Sequence, residues 1–313
     1  MGDLVNEFCW SVSQDKEFSE CRRRYYYGRY GSWEGWPTGK GDAKTKQLYL
    51  LKNLTQKQMW VGSVVHDVVK KVLENFRGGH AVDYAFAEKL LVDEMKNDIE
   101  SSKQKRYYQN PKRNTGFFED EYGIGITDEE ITASIDFAKL CLRNFFNSEA
   151  FTLLSKASKS DWLSVDDDKP GEFSFEGAKI YVKVDAAVKQ GNRILVFDWK
   201  TSRREDVDYS VQLACYLLFA TKQWNCNPSQ VDAFEVNLAL PRTTQHDGLS
   251  AKIDWFEDYM RKSIAAIKSM LRDPQANVAV EEDFPQANDL RRCTHCKYLR
   301  VCKPAVLPKG ELR

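Results

Sequence analysis

The sequence predicts an α/β fold: a mixed central sheet flanked by helices, with a helical insertion. Two observations carry this. The hydrophobic repeat changes from helical spacing in the first half to short β runs from about Phe173. The run from Arg193 to Trp199 is then apolar on both faces, as a strand in the middle of a sheet must be. The order is three helices, a group of strands, then helix, strand and helix.

The first helix is expected over 59–76, where Val61, Val64, Val65, Val68, Val72 and Phe76 recur at helical spacing and Gly78-Gly79 supplies a stop. A second covers about 82–100. A third opens on the capping box Thr127, Asp128, Glu129, Glu130 and carries Ile131, Ile135, Leu142 and Phe146. The stretch 82–151 reads as the insertion. Within it, the polar segment 101–125 alternates Lys103, Lys105, Arg106, Lys112 and Arg113 with Tyr107, Tyr108, Phe117 and Phe118. Such a mixture suits a nucleic-acid backbone and its bases; more plainly, it suits a solvated loop with packed aromatics. Strands are expected over 173–175, 180–188 and 193–199. A helix (209–224), a strand (231–240), a helix (253–271) and an irregular cysteine-bearing tail complete the chain, which reads as a single domain over 1–313.

Of 313 residues, 42% are hydrophobic and 29% charged, an ordinary globular composition. Lys and Arg (46) balance Asp and Glu (46), so any surface for a polyanion must be local. No run reaches the roughly 18 to 20 apolar residues that span a bilayer, and Met1 to Glu7 lacks the form of a signal peptide. A cytoplasmic protein with no membrane partner is therefore expected. The eight cysteines then read as thiols or metal ligands rather than disulfides.

The segment from Tyr181 to Lys200 carries the chemistry. Gly191-Asn192 is a favourable two-residue hairpin turn; with those two in the loop, Gln190 faces Arg193, and stepping back along both strands sets Asp185 opposite Asp198. Opposed side chains in a ladder have Cβ atoms about 5 Å apart, where two carboxylates repel and a divalent cation between them is the functional remedy. Lys200, two residues beyond Asp198, points to the same face and reaches a substrate held there. Two carboxylates and a lysine so spaced suit phosphodiester hydrolysis. The plainer alternative is a pair of strand-end carboxylates facing solvent and offset by Lys200.

Asp185, followed by Phe197-Asp198-Trp199-Lys200-Thr201-Ser202, resembles motifs of the RecB-like PD-(D/E)XK nucleases. The segment Gly62-Ser63-Val64-Val65-His66 matches the family's early helix, and Gln212 with Tyr216 matches its Gln-x-x-x-Tyr helix. The resemblance implies a restriction-endonuclease-like fold and a DNA nuclease, with exonuclease action in repair, recombination or phage and CRISPR DNA processing. It further implies Mg²⁺ or Mn²⁺ held by His66, Asp185, Asp198 and the backbone carbonyl of Trp199, with Gln212 and Tyr216 orienting the lysine or touching DNA. Glu74 is a weak candidate for a further ligand. The chain lacks a G-x-x-x-x-G-K-[ST] motif, so unwinding would fall to a helicase or nuclease-complex partner.

Near the end of the chain, Cys293, Cys296 and Cys302 provide three thiols where tetrahedral zinc or an iron–sulfur cubane takes four. The fourth ligand is open among Cys9, Cys21, Cys226 and His295, while Cys141 and Cys215 fall in helical patterns and read as core. The run Phe18-Ser-Glu-Cys21-Arg-Arg-Arg-Tyr-Tyr-Tyr27 resembles the N-terminal segment of RecB-like nucleases that carry a [4Fe-4S] staple, such as AddB-type subunits and CRISPR-associated exonucleases. That resemblance implies Cys21 as the fourth ligand and a staple formed by 9–27 and 290–304. Zn²⁺ at the same thiols is the alternative. Arg22 to Arg24, Tyr25 to Tyr27, Trp33 and Trp36 are expected either to touch DNA or, more plainly, to pack. A competing function is a non-catalytic nucleic-acid-binding or assembly protein that keeps the fold and the cluster; a zinc-stabilised interaction module is a third.

Overall fold

The computed structural model describes residues 4–167 and 169–303. The chain divides into two compact units, one of residues 1–57, 97–126 and 261–313 and the other of 58–96 and 127–260. The stretch 82–151, expected as one insertion in one domain, is shared between them.

The first unit opens with β1 (Cys9–Trp10), α1 (Val12–Glu20), α2 (Arg22–Tyr26) and α3 (Ala43–Asn53). Ser11 caps α1 by accepting from the Gln14 N–H, which satisfies one of the donors a helix start leaves free. After α2 the chain makes a π-helical turn, Tyr27–Gly31. Tyr25 and Tyr27 are buried; Tyr25 stacks on Phe284, and Tyr27 joins Leu48, Leu51, Leu54, Tyr107 and Tyr298 in one apolar cluster. The arginines beside them are paired within the unit: Arg23 Nη1 lies 2.8 Å from Glu281, and Arg24 reaches Glu17 (3.0 Å) and Glu20 (3.1 Å). For Arg23, Arg24, Tyr25 and Tyr27, these contacts show packing, the plainer reading of the run.

The second unit begins with α4 (Lys57–Arg77), whose first residue falls just before the division. A second boundary falls within α5 (Tyr84–Lys103), after which residues 97–126 belong to the first unit. All the predicted valines of α4 are buried. Between α5 and the third predicted helix, the stretch expected as a polar loop contains α6 (Phe118–Glu121), and Tyr107, Phe117 and Phe118 are buried there. The helix α7 (Asp128–Phe146) starts on the expected capping box, with Thr127 and Glu130 bonded reciprocally, and α8 (Glu149–Leu154) follows.

Strands β2 (Trp162–Val165), β5 (Ala186–Gln190), β6 (Arg193–Lys200), β7 (Val231–Asn237) and β8 (Arg242–Gln245) pair in that order in one sheet. Only β6 and β7 run parallel, so the sheet is mixed as expected. A hairpin of β3 (Gly171–Phe175) and β4 (Ala178–Val182) completes the strands of this unit. Residues 194–199 of β6 are all buried, because both faces of this central strand are covered. The helix α9 (Ser210–Gln223) connects β6 to β7, and Phe145 of α7 stands edge-on to Trp199 at 5.3 Å. Each fully buried side chain of this size contributes about 1.5–3 kcal/mol by leaving water. The last long helix, α10 (Ile253–Lys268), contains the last of the four boundaries between the units, and α11 (Leu299–Cys302) is the last described helix.

The turn at Gly191-Asn192 forms with Gly191 at φ +60, which glycine adopts without strain, and pairs Gln190 with Arg193 through to Ala186 with Phe197. The strand expected over 180–188 is broken, however. Residues 183–185 leave the ladder between β4 and β5, and the Asp166 N–H holds the carbonyls of Val184 (3.1 Å) and Asp185 (3.0 Å) in that bend.

Candidate active site and thiol cavity

Asp198 and Lys200 arrive on one face at the carboxyl end of β6, where ligands bind in open α/β sheets. Asp185 precedes β5 by one residue, and its place is set from two sides. Its Oδ2 accepts the Trp199 N–H at 2.8 Å, and its Oδ1 stands 3.5 Å from His66 Nδ1 on α4. Four of the residues singled out in the sequence therefore meet: His66, Asp185, Asp198 and Lys200.

On α9, Gln212 and Tyr216 stand one turn apart and face the same carboxylate. Gln212 donates to Asp198 Oδ1 (2.9 Å) and to the Tyr216 hydroxyl (2.7 Å), and Tyr216 donates to Asp198 Oδ1 (3.1 Å). Lys200 donates to Gln212 Oε1 at 2.8 Å, so one amide bridges the carboxylate and the ammonium. Lys200 Nζ also lies 2.5 Å from Asp198 Oδ2, in an ion pair whose geometry is not that of a hydrogen bond. Across the parallel ladder Asp198 is paired with Glu235, a buried third carboxylate that stands 3.4 Å from His246.

Burial lifts the Asp198 carboxyl to about 6, and the charge of Asp185 adds to that lift against the pull of Lys200. Burial acts on Asp185 in the same sense but is outweighed by His66, the Trp199 N–H and Lys200, which leave it below the ordinary carboxylate value. For His66, burial opposes the charge and Asp185 overrides it, raising the imidazole. Two neighbouring carboxyls are thus driven in opposite directions, a pattern typical of working sites.

For a divalent cation the donors are of the right kind: hard carboxylate oxygens and an imidazole. Asp198 Oδ2 is buried with the Lys200 ammonium as its partner, and Asp185 Oδ1 is turned to His66. Among the described residues, no three His, Cys, Asp or Glu side chains close on a single ion, and the Lys200 ammonium is paired with Asp198 Oδ2. The two carboxylates expected to oppose each other in the ladder do not pair there, because Asp185 lies before β5 and turns to the Trp199 N–H, and Lys200 offsets Asp198. Glu74 is eight residues past His66, about 12 Å along the helix, and pairs with Lys70 at 4.0 Å.

Sequence reasoning overlooked Tyr209, whose ring lies against Lys200, and Glu235. Tyr209 precedes Gln212 by one helical turn and was open to detection by extending that face backwards. Glu235 carries no local signal, because its pairing with Asp198 depends on which strand lies beside β6.

In the first unit, Cys21, Cys293, Cys296 and Cys302 line one cavity of about 360 Å³, together with Arg24 and Arg292. All four are free thiols. Burial, with the neighbouring thiols, raises Cys296 and lifts Cys302 to about 11. Four thiolates held this close would need a cationic partner. Zinc with sulfur at about 2.3 Å in a tetrahedron holds its sulfurs about 3.8 Å apart. Among the described residues, no three of these thiols close on one ion. Pro304, expected to end the staple, lies outside the described residues.

A family model described as the PD-(D/E)XK nuclease superfamily matches residues 9–303. Comparison with curated proteins gives no match.

Proposed function

We propose, for a chain that belongs to the PD-(D/E)XK nuclease superfamily, that the metal-dependent nuclease acts on DNA as an exonuclease, in repair, recombination or the processing of phage or CRISPR DNA. The observation that carries the reading is the meeting of His66 and Asp185 with the bonded set Asp198, Lys200, Gln212 and Tyr216, the two joined where Asp185 accepts the Trp199 N–H. His66, Asp185, Asp198 and the Trp199 carbonyl would hold Mg²⁺ or Mn²⁺. Bound there, the ion supplies Lewis acidity at the phosphate and a lowered pKa for water. Lys200 would bind the phosphate and offset the charge that develops on it. Gln212 keeps that ammonium beside the carboxylate, and Tyr216 holds Gln212 and Asp198 in register.

Cys21, Cys293, Cys296 and Cys302 would hold a [4Fe-4S] cluster, a reading supported by the four thiols lining one cavity and by the C-x2-C-x5-C spacing of the last three. When bound, the cluster would join segments 9–27 and 290–303, whose helices are short. A helicase or nuclease-complex partner would supply unwinding.

Cleavage of end-labelled single-stranded and circular DNA with Mn²⁺ or Mg²⁺ tests the reading, with anaerobically purified wild type beside Lys200→Ala and Asp198→Ala. Wild type is expected to shorten linear DNA, and each folded variant to lose about 100-fold or more in rate. A wild type that binds DNA and cuts neither substrate would make this a nucleic-acid-binding protein that keeps the fold.

A further inference from the structure

Lys200 has a neighbour that the carboxylate network does not include. The ring of Tyr209 lies against its ammonium, with Nζ 4.1 Å from the ring centroid. Tyr209 is the N-cap of α9, with backbone angles of −102° and 8° that fall outside the helix, and it stands one turn ahead of Gln212. One helix start therefore fixes both the amide that accepts from the lysine and the aromatic face it rests on. The lysine side chain is only 13% exposed, and Tyr209 is partly exposed at its side.

A lysine needs this help because four rotatable bonds leave its ammonium free to wander, and a single hydrogen bond fixes distance better than direction. A cation over an aromatic face gains from the quadrupole of the ring, and gains more where water is excluded. Burial and the carboxylates of Glu235 and Asp198 raise the Tyr209 hydroxyl above its ordinary value, so the residue meets Lys200 as a neutral ring.

We infer that Tyr209 is a positioning residue for Lys200: its ring closes one side of the ammonium while Asp198 and Gln212 hold it from others, leaving a restricted approach for a phosphate. The inference deepens the nuclease reading and rests on it for the word phosphate, but the contact itself is open to a separate test. On this account the ring matters and the hydroxyl does not.

The test compares wild type, Tyr209→Phe and Tyr209→Leu. The first readout needs neither metal nor DNA: amine acylation of the folded proteins, with Lys200 followed by mass spectrometry. Tyr209→Leu is expected to label Lys200 about 3- to 30-fold faster than wild type, the range a cation–π contact spans, while Tyr209→Phe labels at the wild-type rate. Equal labelling in all three proteins overturns the inference. The second readout is cleavage of labelled single-stranded DNA with Mn²⁺. The expected result is a kcat lowered by a similar factor in Tyr209→Leu with KM unchanged, and recovery in Tyr209→Phe. A loss confined to KM overturns the inference and makes the ring a stacking surface for a base. A wild type that cuts no DNA removes the nuclease reading, and the labelling still decides whether Tyr209 holds Lys200.

Discussion

Gly62 lies within α4, where alanine would ordinarily strengthen the helix by about 1 kcal/mol. A Cβ at that position would meet Thr201 Oγ1 at 2.7 Å, and Thr201 is the residue after Lys200. The missing side chain thus lets the helix bearing His66 approach the end of β6. Gly62→Ala is expected to lower cleavage about 10- to 100-fold by shifting Thr201 and the lysine beside it, with a melting temperature that changes little. Thr201→Ala removes the obstructing oxygen, and the double variant should recover most of the rate. Single-turnover assays with parallel thermal melts check both; full activity in Gly62→Ala alone would show that Thr201 yields at no cost.

At the scale of elements, the segment carrying three of the cysteines is held by side chains from the stretch expected to be a polar loop. Arg300, between Cys296 and Cys302, pairs with the Glu121 carboxylate and donates to its carbonyl at 2.7 Å. Tyr107 and Tyr108 donate to the same carboxylate, and the Tyr122 hydroxyl donates to the Lys297 carbonyl at 2.8 Å. Glu121 is almost fully buried while Arg300 keeps about a third of its side chain in water (2% and 35% exposed), so the arginine can rehydrate when its partner goes. Glu121→Ala should therefore cost about 1–3 kcal/mol, less than a wholly buried pair would lose. A shift of that size in the denaturant midpoint, with an unchanged slope, is the expected result. No shift would mean that desolvation of the carboxylate offsets its bonds.

On the scale of the whole molecule, a cluster at the four thiols would close a loop running from Cys21 to Cys293. Loop closure of that length restricts the unfolded chain, and metal binding adds its own free energy to folding. Cys21→Ser is expected to lose the visible absorbance of the cluster and most of the iron. Amide hydrogen exchange should quicken by tenfold or more over 9–27 and 290–303, while the protected amides of β5 and β6 exchange as in the wild type. Exchange that quickens equally throughout would mean that the two units unfold together rather than separately. Among the described residues no helix is long and apolar enough to cross a membrane.

What was legible in the sequence is what short-range physics decides. The valine stripe of α4, the capping box at Thr127 and the Gly191-Asn192 turn each act over a few residues, and the turn alone sets the register that leads Asp185 toward Asp198. The motif residues His66, Gln212 and Tyr216 were singled out by their resemblance to the family's motifs. Their bonds were not, because Asp185 meets His66 from 119 residues away, and nothing local shows which oxygen faces which donor. The break before β5, the place of Glu235 beside Asp198 and the ring of Tyr209 against Lys200 arise only when strands and helices pack. So does the division of the chain: residues 97–126 join both chain ends in one unit because Tyr107 packs with Tyr27 and Tyr298, and Glu121 pairs with Arg300. Periodicity and turn chemistry determined most of the elements, and motif resemblance named the candidate site residues; tertiary packing decided their contacts, because burial and charge pairing act between segments far apart in the chain.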